Sequence, residues 1–158
     1  MHFPPLKRHP ALQPLSREHM SGLIQARNLI AAAAGPADQR RATVAAFLHA
    51  WETELVAHFQ DEETLLSHLI TPEDRERLIA EHAQLRELAA RLIAMQTAPT
   101  SDALSELGAL LHDHIRWEER ELFPSAEGSA TAADFESLAA AAARIEADRP
   151  GARARHRL

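Results

Sequence analysis

The sequence predicts an all-α protein, an up-down-up-down four-helix bundle with a short additional C-terminal helix. Three observations predict it. Four long segments carry apolar residues at three- and four-residue spacing. Start and stop residues punctuate each of them, and the links between them run to only about three to five residues. No stretch of useful length alternates apolar and polar residues as a strand would.

Residues 1–13 hold three of the nine prolines and read as an extended N-terminal arm. The first helix is expected from about Ser16 to Ala34, stopped by Gly35-Pro36, and the second from about Asp38 to Leu69. The third opens at Thr71, which can cap, with Pro72 at the tolerated first helical position, and runs to about Gln96. The fourth follows Pro99-Thr100-Ser101 and is expected to end near Phe123-Pro124. The bundle thus occupies 14–125. Residues 126–158 form an Ala-rich helix, about Thr131 to Asp148, and a basic tail. Whether that helix packs across one end or frays is open. The cluster from Arg149 to Arg157 reads as solvated.

Composition narrows the function classes. At 158 residues the chain can bury a core, and 46% hydrophobic with 25% charged residues suits a globular protein. There is no cysteine, which excludes disulfides, thiolate-held zinc and iron–sulfur clusters in this chain. A formal charge of −6 argues against a nucleic-acid partner. No apolar run approaches the roughly 18 residues of a membrane span, and no signal-peptide pattern opens the chain, so the default expectation is cytoplasmic, with no membrane partner. Histidine is the anomaly, with ten copies.

Four of those histidines fall on apolar helical stripes. His58 and Glu62 are four residues apart, so both leave one face of the second helix, with Val44, Trp51, Leu55, Leu65 and Leu69. His114 and Glu118 repeat the spacing on the fourth, beside Leu107, Leu110 and Leu111. His19 lies on the stripe of Leu15, Leu23, Ala26 and Ile30, and His82 on that of Leu78, Leu85, Ala89 and Ile93. At about 1.5 Å rise per residue, antiparallel packing with modest helix stagger can bring the six groups to one level toward one end of the bundle. Left unsatisfied there, each polar group would cost on the order of 1–3 kcal/mol. Two cations satisfy them together, and a mixed imidazole and carboxylate set suits iron, manganese or zinc.

His19, His58-x-x-x-Glu62, His82 and His114-x-x-x-Glu118 resemble the hemerythrin-like (HHE cation-binding) family. The strings PLSREHM, HFQDEETLL and HDHIRWEERELFP are similar too, over about residues 15–124. The resemblance implies two iron ions, oxo- or hydroxo-bridged, with His19, His58, His82 and His114 as ligands and Glu62 and Glu118 as bridges. It implies a protein that binds or senses oxygen, nitric oxide or peroxide, or handles iron. A peroxidase or nitric-oxide-consuming enzyme and a metal-regulated interaction module are the alternatives. A ferritin-like site needs Glu-x-x-His pairs, and the sequence has none.

Arg86 departs from the family pattern: oxygen-carrying members have a fifth histidine there. The six-residue set is therefore more similar to the repair-of-iron-centres proteins. Arg86 could pair with a bridging glutamate, fill the vacated position or reach solvent. Glu63 and Glu119, about 100° from the bridges, are expected to support a ligand or lie at the surface rather than to ligate. Glu121 is a spare carboxylate. Gly22 either leaves room for a small ligand or allows close helix packing. Trp51 and Trp117 are expected in the core, and His2, His9, His49, His68, His112 and His156 away from the site.

Overall fold

The structure, a computed structural model, describes residues 8–149. A 3-10 turn, Pro10–Leu12, leads into α1 (Gln13–Ala33). Then come α2 (Ala37–Ala50), α3 (Val56–Leu66), α4 (Pro72–Ala94), α5 (Ser101–Trp117), α6 (Phe123–Ser129) and α7 (Ala132–Asp148). Among the described residues there is no strand. The helices α2 and α3 form one rod joined by a π-helical turn, Trp51–Leu55, where the Val56 amide bonds the Trp51 carbonyl five residues back. The turn Glu118–Leu122 joins α5 to α6 in the same way, through the Phe123 amide and the Glu118 carbonyl. The bundle is thus α1, α2–α3, α4 and α5–α6, with α7 packed against the 3-10 turn and α1.

Local chemistry explains most of the boundaries. The Thr71, Thr100 and Thr131 hydroxyls accept the amides of Asp74, Ala103 and Asp134, and Asp134 returns a bond to the Thr131 amide. Pro124 does not stop the fourth helix. It stands in the first turn of α6, where the missing N–H is tolerated, so the helix continues to Ser129.

The buried stripe follows the heptad rather than an ideal 3.6-residue helix. On α1 it runs His19, Gly22, Ala26, Leu29, Ala33, and on α4 Leu78, His82, Leu85, Ala89, Leu92. An ideal helix drifts about 20° per heptad against its neighbours, and the packed bundle removes that drift. Ile30 and Ile93, expected inside, are therefore exposed, at 42% and 45%. Leu65 is half-buried, and Leu66 takes the core position beyond the first π-helical turn.

Glycines set the closest approach of α1 and α5. A Cβ on Gly108 would lie 2.9 Å from the Ala26 carbonyl oxygen and 2.8 Å from Ile30 Cγ1. Backbone cannot yield as a side chain can. Gly108→Ala is expected to lower the thermal midpoint of the metal-free protein by a few degrees, because overpacking of about 1–3 kcal/mol exceeds the roughly 1 kcal/mol gained in helix propensity. An unchanged or raised melting curve would contradict this packing.

The N-terminal arm is not extended where the structure describes it. Ala11 and Leu12 are buried, and His9 caps the 3-10 turn and stacks on Phe135 at 3.7 Å. Helix α7 packs against that turn and α1 through Leu138, Ala141, Ala142 and Ile145. Arg149, expected in solvent with the basic tail, is buried because two carboxylates hold it. The rest of the basic cluster, His2 and His156 lie outside the described residues.

Candidate metal centre

A polar layer divides the core in two. One apolar cluster, including Ala26, Leu29, Phe47, Leu55, Phe59, Leu92 and Leu107, lies on one side. Leu12, Leu15, Leu66, Leu78, Trp117, Phe123 and Leu138 belong to the other. Between them stand His19, His58, Glu62, His82, His114 and Glu118, none more than 3% exposed. All six side chains singled out in the sequence converge there.

They form two groups that share both glutamates: His19, His58, Glu62 and Glu118, and Glu62, His82, His114 and Glu118, with donor atoms within 4.8 Å of one another in each. Glu62 turns Oε2 toward His19 Nε2 and His58 Nε2, both at 3.3 Å, and Oε1 toward His82 Nε2, also at 3.3 Å. Glu118 turns Oε2 toward His19 Nε2 at 3.3 Å, while Oε1 contacts His114 Nε2 and lies 3.8 Å from His82 Nε2. Each carboxylate therefore offers one oxygen to each imidazole pair.

The protein alone does not satisfy this layer. His58 Nε2, Glu62 Oε1 and both Glu118 oxygens are buried without a hydrogen-bond partner. These are atoms that can all act as ligands, gathered in one buried layer. The donor set fits divalent or trivalent cations.

The outward nitrogens meet carboxylates. His19 Nδ1 lies 2.6 Å from Glu119, His58 Nδ1 3.0 Å from Glu18 and His114 Nδ1 2.7 Å from Glu81. His82 Nδ1 is 3.5 Å from Glu63, too far for a hydrogen bond. A carboxylate only accepts, so Nδ1 of these three rings carries a proton, and whenever the ring is neutral its Nε2 lone pair faces inward. Glu119, expected to support a ligand or lie outside, thus supports His19.

Glu18 and Glu81 escaped the sequence reading. Their signal was there: each directly precedes a core histidine, in Glu18-His19 and Glu81-His82. Yet Glu18 serves His58 and Glu81 serves His114, across the bundle. Only assembled helices make those pairs.

Burial and these partners set the charges. Burial pushes the His19 imidazole down, but hydrogen bonds to Glu119 and Glu62 outweigh it and raise it to about 9. His58 is also raised against its burial, chiefly by the charge of Glu62 and the bond to Glu18. Burial dominates at His114 and lowers it. Burial raises Glu62 and Glu119, but imidazoles hold Glu62 well below the usual carboxylate range, and His19, Ser16 and Arg8 bring Glu119 to about 2.

The remaining candidates fall away. Arg86 Nη2 donates to Glu63 Oε2 at 3.0 Å, so it neither fills a ligand position nor pairs with a shared glutamate. Glu121 is exposed. A Cβ on Gly22 would lie 2.6 Å from Ile115 Cδ1, so that glycine serves close packing. Both tryptophans are buried. His49 and His68 are exposed, and His112 is half-exposed.

The model of the hemerythrin HHE cation-binding domain matches residues 11–126, with a second, overlapping match over 73–149. The chain belongs to this family. Membership in the hemerythrin HHE family accords with the all-α bundle and with buried histidine–glutamate clusters suited to metal. Comparison with curated proteins and with solved structures returns no match. Among the described residues of this hemerythrin-family chain, no helix is long and apolar enough to cross a membrane.

Proposed function

We propose that the protein binds a pair of iron ions, His19 and His58 holding one, His82 and His114 the other, with Glu62 and Glu118 spanning both. One observation carries the reading: both buried carboxylates divide their oxygens between the two imidazole pairs. A structural carboxylate would turn both oxygens to hydrogen-bond donors. Zinc or manganese suits the same atoms as a substitute.

Bound iron supplies a redox change and a Lewis-acidic position for a small ligand such as oxygen, nitric oxide or peroxide. The chain's own residues set the conditions. Phe59 stacks on His82 at 4.3 Å and Phe123 lies 5.0 Å from His19, walling the layer with apolar rings that exclude water. The carboxylates behind the imidazoles fix ring orientation. With Arg86 turned to Glu63, no fifth histidine stands at that position, which favours sensing or iron handling over reversible oxygen carriage. Residues 14–125 supply every proposed ligand.

The test is anaerobic reconstitution of the metal-free protein with ferrous iron, followed by air. Close to two irons per chain and a changed optical spectrum are expected. Uptake well below two, or a spectrum indifferent to oxygen, would overturn the reading. Steady-state consumption of peroxide or nitric oxide by the loaded protein would instead make it an enzyme.

A further inference from the structure

Each inward imidazole has a carboxylate behind it, and each carboxylate has an arginine behind that. Three of these are hydrogen-bonded relays, His19–Glu119–Arg8, His58–Glu18–Arg149 and His114–Glu81–Arg77, while at His82 the Glu63–Arg86 pair stands 3.5 Å away without a hydrogen bond to the ring. They are not equivalent. Arg8 and Arg149 come from the two ends of the described chain, and their side chains are 7% and 8% exposed. Arg77 and Arg86 lie on α4 itself and are 49% and 38% exposed. The buried pair serves His19 and His58, which form one group, and the exposed pair serves the other.

We propose that Arg8 and Arg149, at the two ends of the described residues, lock one metal position, that of His19 and His58, and leave the other to open, solvent-facing supports. The inference rests on the metal reading above. Arg149 and Arg8 are positioning residues, since neither touches the six inward side chains. Arg149 Nε donates to Glu18 Oε2 at 2.7 Å and Nη2 to Glu18 Oε1 at 3.2 Å. That fork fixes the carboxylate plane, and with it the His58 ring on Oε1. Nη2 also reaches Asp61 Oδ2 at 2.5 Å, so the guanidinium bridges α1 and α3. At the other end, Arg8 Nη2 donates to Glu119 Oε2 and to the Glu119 carbonyl, both at 2.8 Å. Its guanidinium lies 5.3 Å from the centre of the Phe123 ring, which is the ring beside His19.

Arg149 directly follows the last residue of α7, so docking of that helix and orientation of the His58 ring are one event. Linkage makes the effect reciprocal: if docked α7 strengthens this metal position, a filled position must strengthen the docking of α7. The C-terminal helix thereby reports occupancy of one metal position at the protein surface.

The test uses the full chain and zinc alone as a redox-silent probe. Calorimetric titration of the metal-free parent is expected to show two binding events. In Arg149→Gln one event weakens about 10- to 100-fold, the usual loss when a ligand's outer partner is removed, and the other stays within about threefold. Arg149→Lys keeps the charge without the fork and follows Arg149→Gln. Arg8→Gln weakens the same event from the other end. Arg144→Gln, on the exposed face of α7, follows the parent. Hydrogen exchange of Ala132–Asp148 is expected to slow on zinc addition in the parent and not in Arg149→Gln. Equal weakening of both events, no weakening, or exchange in the parent indifferent to zinc would overturn the lock. The exchange measurement needs only the parent, so it decides even where a variant fails to fold. A parent that takes up no zinc would sink the metal reading and the lock together; two zinc ions bound equally by parent and Arg149→Gln would sink the lock alone.

Discussion

Replacing Glu62 or Glu118 with alanine is expected to cut metal uptake from two ions per chain to one at most. The effect exceeds that of any single histidine because each glutamate serves both groups, whereas each imidazole serves one. Glu62→Ala removes the oxygens that lie 3.3 Å from His19, His58 and His82, and Glu118→Ala those beside His19, His82 and His114. Cations held by the two groups would then face each other with less negative charge between them, which is worst in a buried layer. His82→Ala, which spares both shared glutamates and the group of His19 and His58, is expected to retain about one ion. Metal analysis after dialysis measures this, with circular dichroism to confirm that the variants remain helical. Parent, glutamate variants and His82→Ala with the same metal content would end the assignment.

The metal-free protein is expected to lose stability on both sides of a window near pH 4.5 to 6.5, and metal is expected to remove the alkaline loss. Glu119 stands at about 2 in the fold against an ordinary 4.5, so its contribution is complete above 4.5 and fades as pH falls toward 2. Glu62, Glu18 and Glu81 are lowered as well and act in the same direction. His19 has the opposite sign. Raised from 6.5 to about 9, it stabilises fully below 6.5, and its contribution is lost as pH climbs through 9. His114, lowered by burial, works against the fold below 6.5 and trims the acid side of the window. A cation held by His19 would need the neutral ring, so loading would displace the His19 proton. Loading between pH 6.5 and 9 should therefore release about one proton or more per chain. Binding enthalpies measured in buffers of different ionisation enthalpy count those protons directly. No release, or an alkaline loss of stability as large with metal as without, would show that His19 is not displaced from its carboxylates.

Much of the site was legible because helical spacing is a local property. His58 with Glu62 and His114 with Glu118 share faces at any tertiary arrangement, and the caps at Thr71 and the stop at Gly35-Pro36 act within a few residues. Ile30 and Ile93 misled because they satisfy an ideal helix, whereas a bundle packs by heptads. Pro124 misled because a π-helical turn, invisible to a fixed period, restarts the helix just before it. Arg149 misled because a run of basic residues reads as solvated until carboxylates from α1 and α3 are placed around its first member.

The sequence by itself determined an all-α bundle, the six inward side chains and the level at which they meet, since periodicity, caps and short connections are short-range. Only the tertiary structure decided which oxygen of each glutamate faces which imidazole pair, and that Glu18 and Glu81 serve histidines on helices other than their own. It alone brought Arg8 and Arg149 onto one half of the layer. The pairings of Glu81 with His114, Glu18 with His58 and Arg149 with Glu18 join side chains 33, 40 and 131 residues apart, which no local pattern records.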